Sequence, residues 1–258
     1  MTVFDLAEAQ IAVHWKEEEA IPPPPSFVAQ ANLTDPDVDC RFALENFPQC
    51  YAEYGEMLTW FKRWEKILDD STPPFWKWFT GGVINASVNC IDRHLPRNAA
   101  RAAFLFVPEL ESESLVTITY QDLYDRVNEV AAVLRDVCGV QSGDRVTIHM
   151  PLVPELPISM LACARLGAIH SVVFSGFSGY ACGQRIADSG SRVLITMDGY
   201  YRGGHVVDHF EKAQIAVETA KLQGHNVAKV LVWRRHPGRM LSSHPTVDGR
   251  DLFMDDAL

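Results

Sequence analysis

Arg202-Gly203-Gly204-His205 is built from the parts of an anion site. Adjacent glycines leave backbone N–H groups open, and an arginine offers a planar cationic fork. The run comes after a predicted strand ending at Thr196 and directly before a helix predicted over Val206 to Leu222. A helix N-terminus there would add its own partial positive charge. A phosphate is the ligand these parts fit, and a surface turn is the competing reading. A second candidate, Phe174-Ser175-Gly176-Phe177, follows the C-terminal end of a predicted strand, where open α/β sheets hold their ligands. Gly176 lets a backbone approach a ligand and an aromatic neighbour can stack on a base, while a tight strand-to-helix turn explains the same residues.

Other clusters support less chemistry. His205, Asp208 and His209 would share a helical face and suggest a metal, but a zinc helix carries a base between two ligands and finds a third elsewhere. A solvated helix start is the preferred reading. Asp92-Arg93-His94 looks like acid–base machinery, yet adjacent side chains diverge, so a structural ion pair is expected instead. No Gly-x-Ser-x-Gly elbow and no Gly-x-x-x-x-Gly-Lys-Ser/Thr loop occurs, and Gly176, Gly179 and Gly183 do not space a dinucleotide fingerprint. No catalytic residue and no metal ligand is assigned.

The elements that must position these residues are legible from Ala102 onward. Strands are predicted over 103–107, 115–118, 145–150, 169–174, 192–196 and 227–233. Helices are predicted at 154–166, 179–187 and 206–222, with one more capped by Thr119, carrying Leu123, Val127, Val130, Leu134 and Val137 on one face and ending at Gly139. Alternation of this kind predicts a parallel sheet with crossover helices. Upstream, Tyr54, Met57, Leu58, Phe61, Trp64 and Leu68 recur at threes and fours and predict an amphipathic helix closed by Pro73 and Pro74. Residues 1–50 read as an extended, partly disordered arm, with Pro22 to Pro25 held extended. The stretch 241–258 shows no clear periodicity.

Composition narrows the function classes. The 258 residues are 47% hydrophobic and 22% charged, enough for a sizeable core. A net charge of −10 argues against nucleic-acid binding, which needs clustered cations; the Arg234-Arg235 pair is too small. Six widely spaced cysteines make no zinc pattern and read as reduced thiols. The acidic start lacks a secretory n-region and no apolar run reaches the ~18 residues of a membrane span, so a cytoplasmic protein away from membranes is expected.

The segment from Phe75 to Leu95, FWKWFTGGVINASVNCIDRHL, fits no simple period, and its Gly82, Asn85, Asn89, Cys90, Asp92, Arg93 and His94 resemble the fingerprint of AMP-forming acetyl-CoA synthetases. The likeness continues through Gly143-Asp144-Arg145-Val146, Met150-Pro151, Pro154-Glu155, Met160 to Ala168 and Ser171 to Ser178. It implies an α/β fold: an N-terminal helical, aromatic cap region over 51–98, then an incomplete β/α parallel-sheet adenylation subdomain over 99–258. It also implies acetate, ATP, coenzyme A and Mg as the family's reactants and cofactors. For this chain it implies coenzyme A at most, held by Gly176, Arg202, Gly203, Gly204 and His205.

Three departures stand out: Cys50-Tyr51 in place of an aromatic pair, Ser175 in place of a glycine, and His205 in place of lysine or arginine. Histidine is the weaker cation at neutral pH, so affinity for an anion is expected to fall as pH rises. The family's Ser/Thr/Gly-rich phosphate loop, its ribose-binding acid, its pocket tryptophan and its C-terminal lysine have no counterpart in the 258 residues. The expectation is therefore part of an acetate–CoA ligase, inactive by itself, with a noncatalytic binding remnant or interaction module as the alternative. An independent small α/β enzyme is the weakest reading. A sheet cut short would expose an edge and promote self-association.

Overall fold

The computed structural model describes residues 20–32, 35–235 and 246–258. Two compact units divide the chain, Met1–Ala52 and Glu53–Leu258. In the first, the stretch read as an extended arm carries short helices at Pro25–Val28 and Val38–Arg41. Pro24 is extended, with φ −56° and ψ 141°, but Pro25 starts the first of these helices rather than prolonging the run. Proline suits a first helical turn because that N–H would have no partner there anyway.

The second unit is built on a parallel sheet. Strands β1 (Lys66–Asp69) and β2 (Lys77–Thr80) form an antiparallel pair near its start, and β3 (Ala102–Phe106) pairs antiparallel with β4 (Val116–Thr119). The main sheet uses β5 (Arg145–Met150), β6 (Ile169–Phe174), β7 (Val193–Met197), β10 (Lys229–Trp233) and β11 (Asp251–Phe253), in the order β11-β10-β7-β5-β6, with every pairing parallel. Between β7 and β10 lies an antiparallel hairpin, β8 (Gly199–Arg202) and β9 (His205–Asp208). Four helices pack on the sheet: α1 (Tyr120–Ala132), α2 (Glu155–Leu166), α3 (Gly179–Ser189) and α4 (His209–Leu222).

Both faces of the sheet are covered. Val146, Ile148, Ile195 and Met197 meet Leu123, Val127, Ile158 and Ala162 from the α1 and α2 side. Val173, Leu194, Val230 and Val232 meet Ile186, Phe210, Ala213 and Ala216 from α3 and α4. Burial on two sides is why these strands read as nearly continuous apolar runs. The helices begin where side-chain caps allow. Thr119 and Asp122 form a reciprocal capping box, and Ser178 and Asp208 cap α3 and α4. Helices α3 and α4 nearly touch, because a Cβ on Gly183 would stand 2.5 Å from the Ala216 carbonyl oxygen.

Two helix predictions fail. The helix predicted across Tyr54 to Leu68 stops at Glu56, and Lys66–Asp69 is strand β1. The Trp60 indole donates to the Gly55 carbonyl at 2.8 Å and Phe61 N–H donates to Val83 O, so tertiary partners take over the backbone that a longer helix would use. The helix predicted from Val206 begins only at His209, after β9. In the stretch 241–258, residues 241–245 lie outside the described residues, and the remainder holds β11 and a short helix at Met254–Ala257.

Candidate functional site

The β8–β9 hairpin rises from the C-terminal side of β7 and turns at Gly203 and Gly204, whose φ angles are +58° and +77°. Two successive positive φ values make the tight two-residue turn that matches strand twist, which is why adjacent glycines stand here. Arg202 and His205 are therefore register partners across the hairpin. The helix N-terminus expected behind this run is absent: Asp208 caps α4 three residues later, accepting from Glu211 N–H at 2.9 Å. The Gly204 N–H donates to the Glu109 carboxylate at 3.1 Å.

Beside the hairpin a cleft of about 380 Å³ opens at the C-terminal ends of the strands. Its apolar walls include Phe106, Leu152, Phe174 and Tyr200; its charged groups are Glu109, Glu113, Arg202 and Arg235. Arg235 is paired with Glu113 at 2.7 Å and lies over the Phe106 ring, 5.0 Å from its centroid. Arg202 forms no ion pair among the described residues, which leaves it as the cation of this cleft without a carboxylate. Asp198, behind the lining, joins the hairpin to the end of β10, since its carboxylate accepts from the N–H groups of Gly199 and Arg235 at 2.7 and 2.8 Å.

Of the five residues predicted to bind a ligand, Arg202 alone lines the cleft. Gly203, Gly204 and His205 are exposed at the hairpin tip, and Gly176 is exposed in the turn after β6. Ser175, one residue before Gly176, does line the cleft, and its carbonyl is held by Lys212 Nζ at 2.9 Å. Phe174 and Phe177 meet edge to face at 5.8 Å, and both remain exposed. Sequence reasoning missed Tyr200, Phe106, Glu113 and Arg235. Arg235 was within reach, because it follows the C-terminal end of a predicted strand, the same signal that singled out Gly176.

The remaining candidates resolve into structure. His205 sits at the hairpin tip, Asp208 caps a helix and His209 is buried, so they share no helical face. Among the described residues no group of three or more His, Cys, Asp or Glu side chains could hold a metal ion. Asp92 forms a two-pronged ion pair with Arg165, at 3.1 and 2.5 Å, while Arg93 donates to the Met57 carbonyl. The triplet is thus a structural clamp, as expected, although its ion-pair partner comes from α2. The thiols of Cys163 and Cys182 are pushed up to about 12 by burial, which leaves them unreactive.

The asparagines of the aperiodic segment work the same way. Asn85 accepts from Val88 N–H and donates to the carbonyls of Ala164 and Arg165, closing the last turn of α2. Asn89 brackets Thr59, accepting from its N–H and donating to its carbonyl.

The profile described as AMP-binding enzyme matches residues 91–248, more than half of the chain. The chain belongs to the AMP-binding enzyme family. A second profile, acetyl-coenzyme A synthetase N-terminus, matches residues 37–90. An acetyl-coenzyme A synthetase of Pyrobaculum arsenaticum is 43% identical over 217 residues, covering 82% of this chain and 31% of that protein. One of Streptomyces coelicolor is 43% identical over 250 residues, covering 91% and 36%. A 3-hydroxypropionyl-coenzyme A synthetase of Sulfurisphaera tokodaii is 44% identical over 203 residues, covering 78% and 29%. The chain therefore spans about a third of the length of these relatives. Among the described residues no helix is long and apolar enough to cross a membrane.

Proposed function

We propose that the chain is the N-terminal part of an acetate–CoA ligase, with 51–98 as its cap region and 99–258 as the first part of its AMP-binding domain. In that reading the assembled enzyme activates acetate with ATP and Mg to acetyl-AMP and passes the acetyl group to coenzyme A in the cytoplasm. The contribution of this polypeptide is the coenzyme A side of the site. Arg202, a cation without a carboxylate partner among the described residues at the mouth of an apolar cleft, carries the reading. Gly203, Gly204, His205 and Gly176 contribute backbone and imidazole contacts around it, with the Gly204 N–H exchanging the Glu109 carboxylate for the ligand. The apolar walls suit the uncharged arm of the ligand, and the arginine fork suits a phosphate.

The polypeptide by itself makes no acetyl-adenylate, because the cations and backbone donors that stabilise charge at an α-phosphate have no counterpart in its 258 residues. A noncatalytic CoA- or nucleotide-binding module is the second reading, favoured by a formed cleft without an adenylation loop. Calorimetric titration with coenzyme A tests the site. Binding is expected, and Arg202→Gln is expected to weaken it about tenfold, the loss of roughly 1.4 kcal/mol of charge-assisted bonding. No binding by the parent chain, or no change in the variant, overturns the assignment. Acetate-dependent ATP–pyrophosphate exchange is expected to be absent, and its detection would show that the chain adenylates unaided.

A further inference from the structure

His149 and His209 are both fully buried, on the face of the sheet covered by α3 and α4. Their rings lie 4.3 Å apart, and His209 Nε2 is 2.9 Å from the His149 carbonyl, to which it donates. Among the described residues no hydrogen bond of good geometry reaches His149 Nδ1, His149 Nε2 or His209 Nδ1, although the Phe174 backbone lies close enough to His149 to favour a proton on its ring, against the larger effect of burial. Two imidazoles so enclosed can both be accommodated only while neutral, since a charge on either would be desolvated and would face its neighbour.

The pair sits at a joint. The N–H groups of His209 and Phe210 donate to the Asp198 carbonyl at 3.0 Å, so the whole β8–β9 hairpin is spliced between Asp198 and His209. Tyr200 of that hairpin stacks edge-on against His209 at 5.4 Å. We propose that the His149–His209 pair is an acid-sensitive latch, neutral and closed at neutral pH, whose protonation releases the start of α4 together with the hairpin that carries Arg202.

The surroundings favour this direction. Lys212, one turn along α4, acts on both rings and disfavours a positive charge on either. Thr196 follows the Ile148–Ile195 pair in register on β7, and Tyr200 is contributed by β8. The Asp198 carboxylate is engaged by the Gly199 and Arg235 amides. Burial, the largest cause, holds His149 down to about 4 and His209 down to about 3.

A histidine freed from the latch has its ordinary pKa near 6.5. The closed state therefore has its full advantage above about pH 6.5 and loses it as pH falls toward the closed-state values. Each ring can shift the opening equilibrium by up to about tenfold per pH unit, and the pair by up to about a hundredfold.

The experiment is amide hydrogen exchange of the whole chain at about pH 7.5 and about pH 5.5, corrected for intrinsic rates. Residues 199–215 are expected to lose protection selectively at the lower pH, while β7 and β10 keep theirs. His209→Leu is expected to remove that selectivity. Unchanged protection in 199–215, equal loss across the sheet, or the same response in the variant overturns the latch. Should the variant fail to fold, NMR titration of the histidine rings in the unaltered chain decides. Both rings titrating near pH 6.5 with the fold intact would end the proposal, and rings that stay neutral until the hairpin opens would support it.

Discussion

At the scale of single residues, side chains that look catalytic in the sequence serve as fasteners between distant segments. Asp92 clamps Arg165, and both side chains are mostly out of solvent, 28% and 16% exposed. The Arg165 guanidinium also lies 5.3 Å from the centroid of the Tyr124 ring, so its position is fixed from two sides. Asp92→Asn removes the charge and leaves Arg165 partly buried without its partner. Discounted for the residual exposure, the expected cost is about 2 kcal/mol in urea unfolding, with no effect on coenzyme A binding. A loss of binding without a loss of stability would restore a functional role to the triplet. The identity of these residues was legible in the sequence, but not their targets. Asn85, Asn89 and Asp92 act on partners 30 to 80 residues away, and no local period encodes such contacts.

At the scale of elements, two glycines have different duties. Gly183 lets α3 and α4 approach until backbone and side chain meet, whereas nothing lies within 4 Å of a Cβ built on Gly203. Gly183→Ala is expected to cost about 1–3 kcal/mol by overpacking, and Gly203→Ala about 1–2 kcal/mol through its left-handed backbone alone. Chemical denaturation reads the two costs and amide hydrogen exchange separates them by place: the first loosens the α3–α4 layer, and the second leaves it intact. The elements around these glycines were readable wherever burial is two-sided. Strand β5, buried from Val146 to Met150, falls on its predicted bounds because its apolar run and flanking turns agree, and β6 does so although Val173 alone of its residues is buried.

Prediction failed where tertiary partners outvote local pattern. The threes and fours between Tyr54 and Leu68 describe a helix that the Trp60 and Val83 contacts dismantle, and most of that supposed core stripe is exposed. Val206 and Val207 were swept into α4 although Asp208, followed three residues later by Glu211, marks the true start. That single slip turned a hairpin tip into a helix N-terminus in the reading of the anion site, while leaving Arg202 beside the cleft.

At the scale of the molecule, one end of the main sheet is β6, which among the described residues pairs with β5 alone. Ile169, Val172 and Phe174 on this strand are 57%, 43% and 57% exposed, unusual for a parallel strand. Such an edge is a template for another chain, and we propose concentration-dependent self-association through it. Light scattering is expected to show mass rising with concentration, and Val172→Lys is expected to suppress it. A monodisperse monomer across the range would count against the edge. The cluster of Trp60, Trp64 and Phe79 has a consequence of another kind. With the indole centroids 5.0 Å apart and crossed at 63°, their transitions are close enough to couple, so assembly of this region has its own optical signature in circular dichroism, separable from that of the sheet.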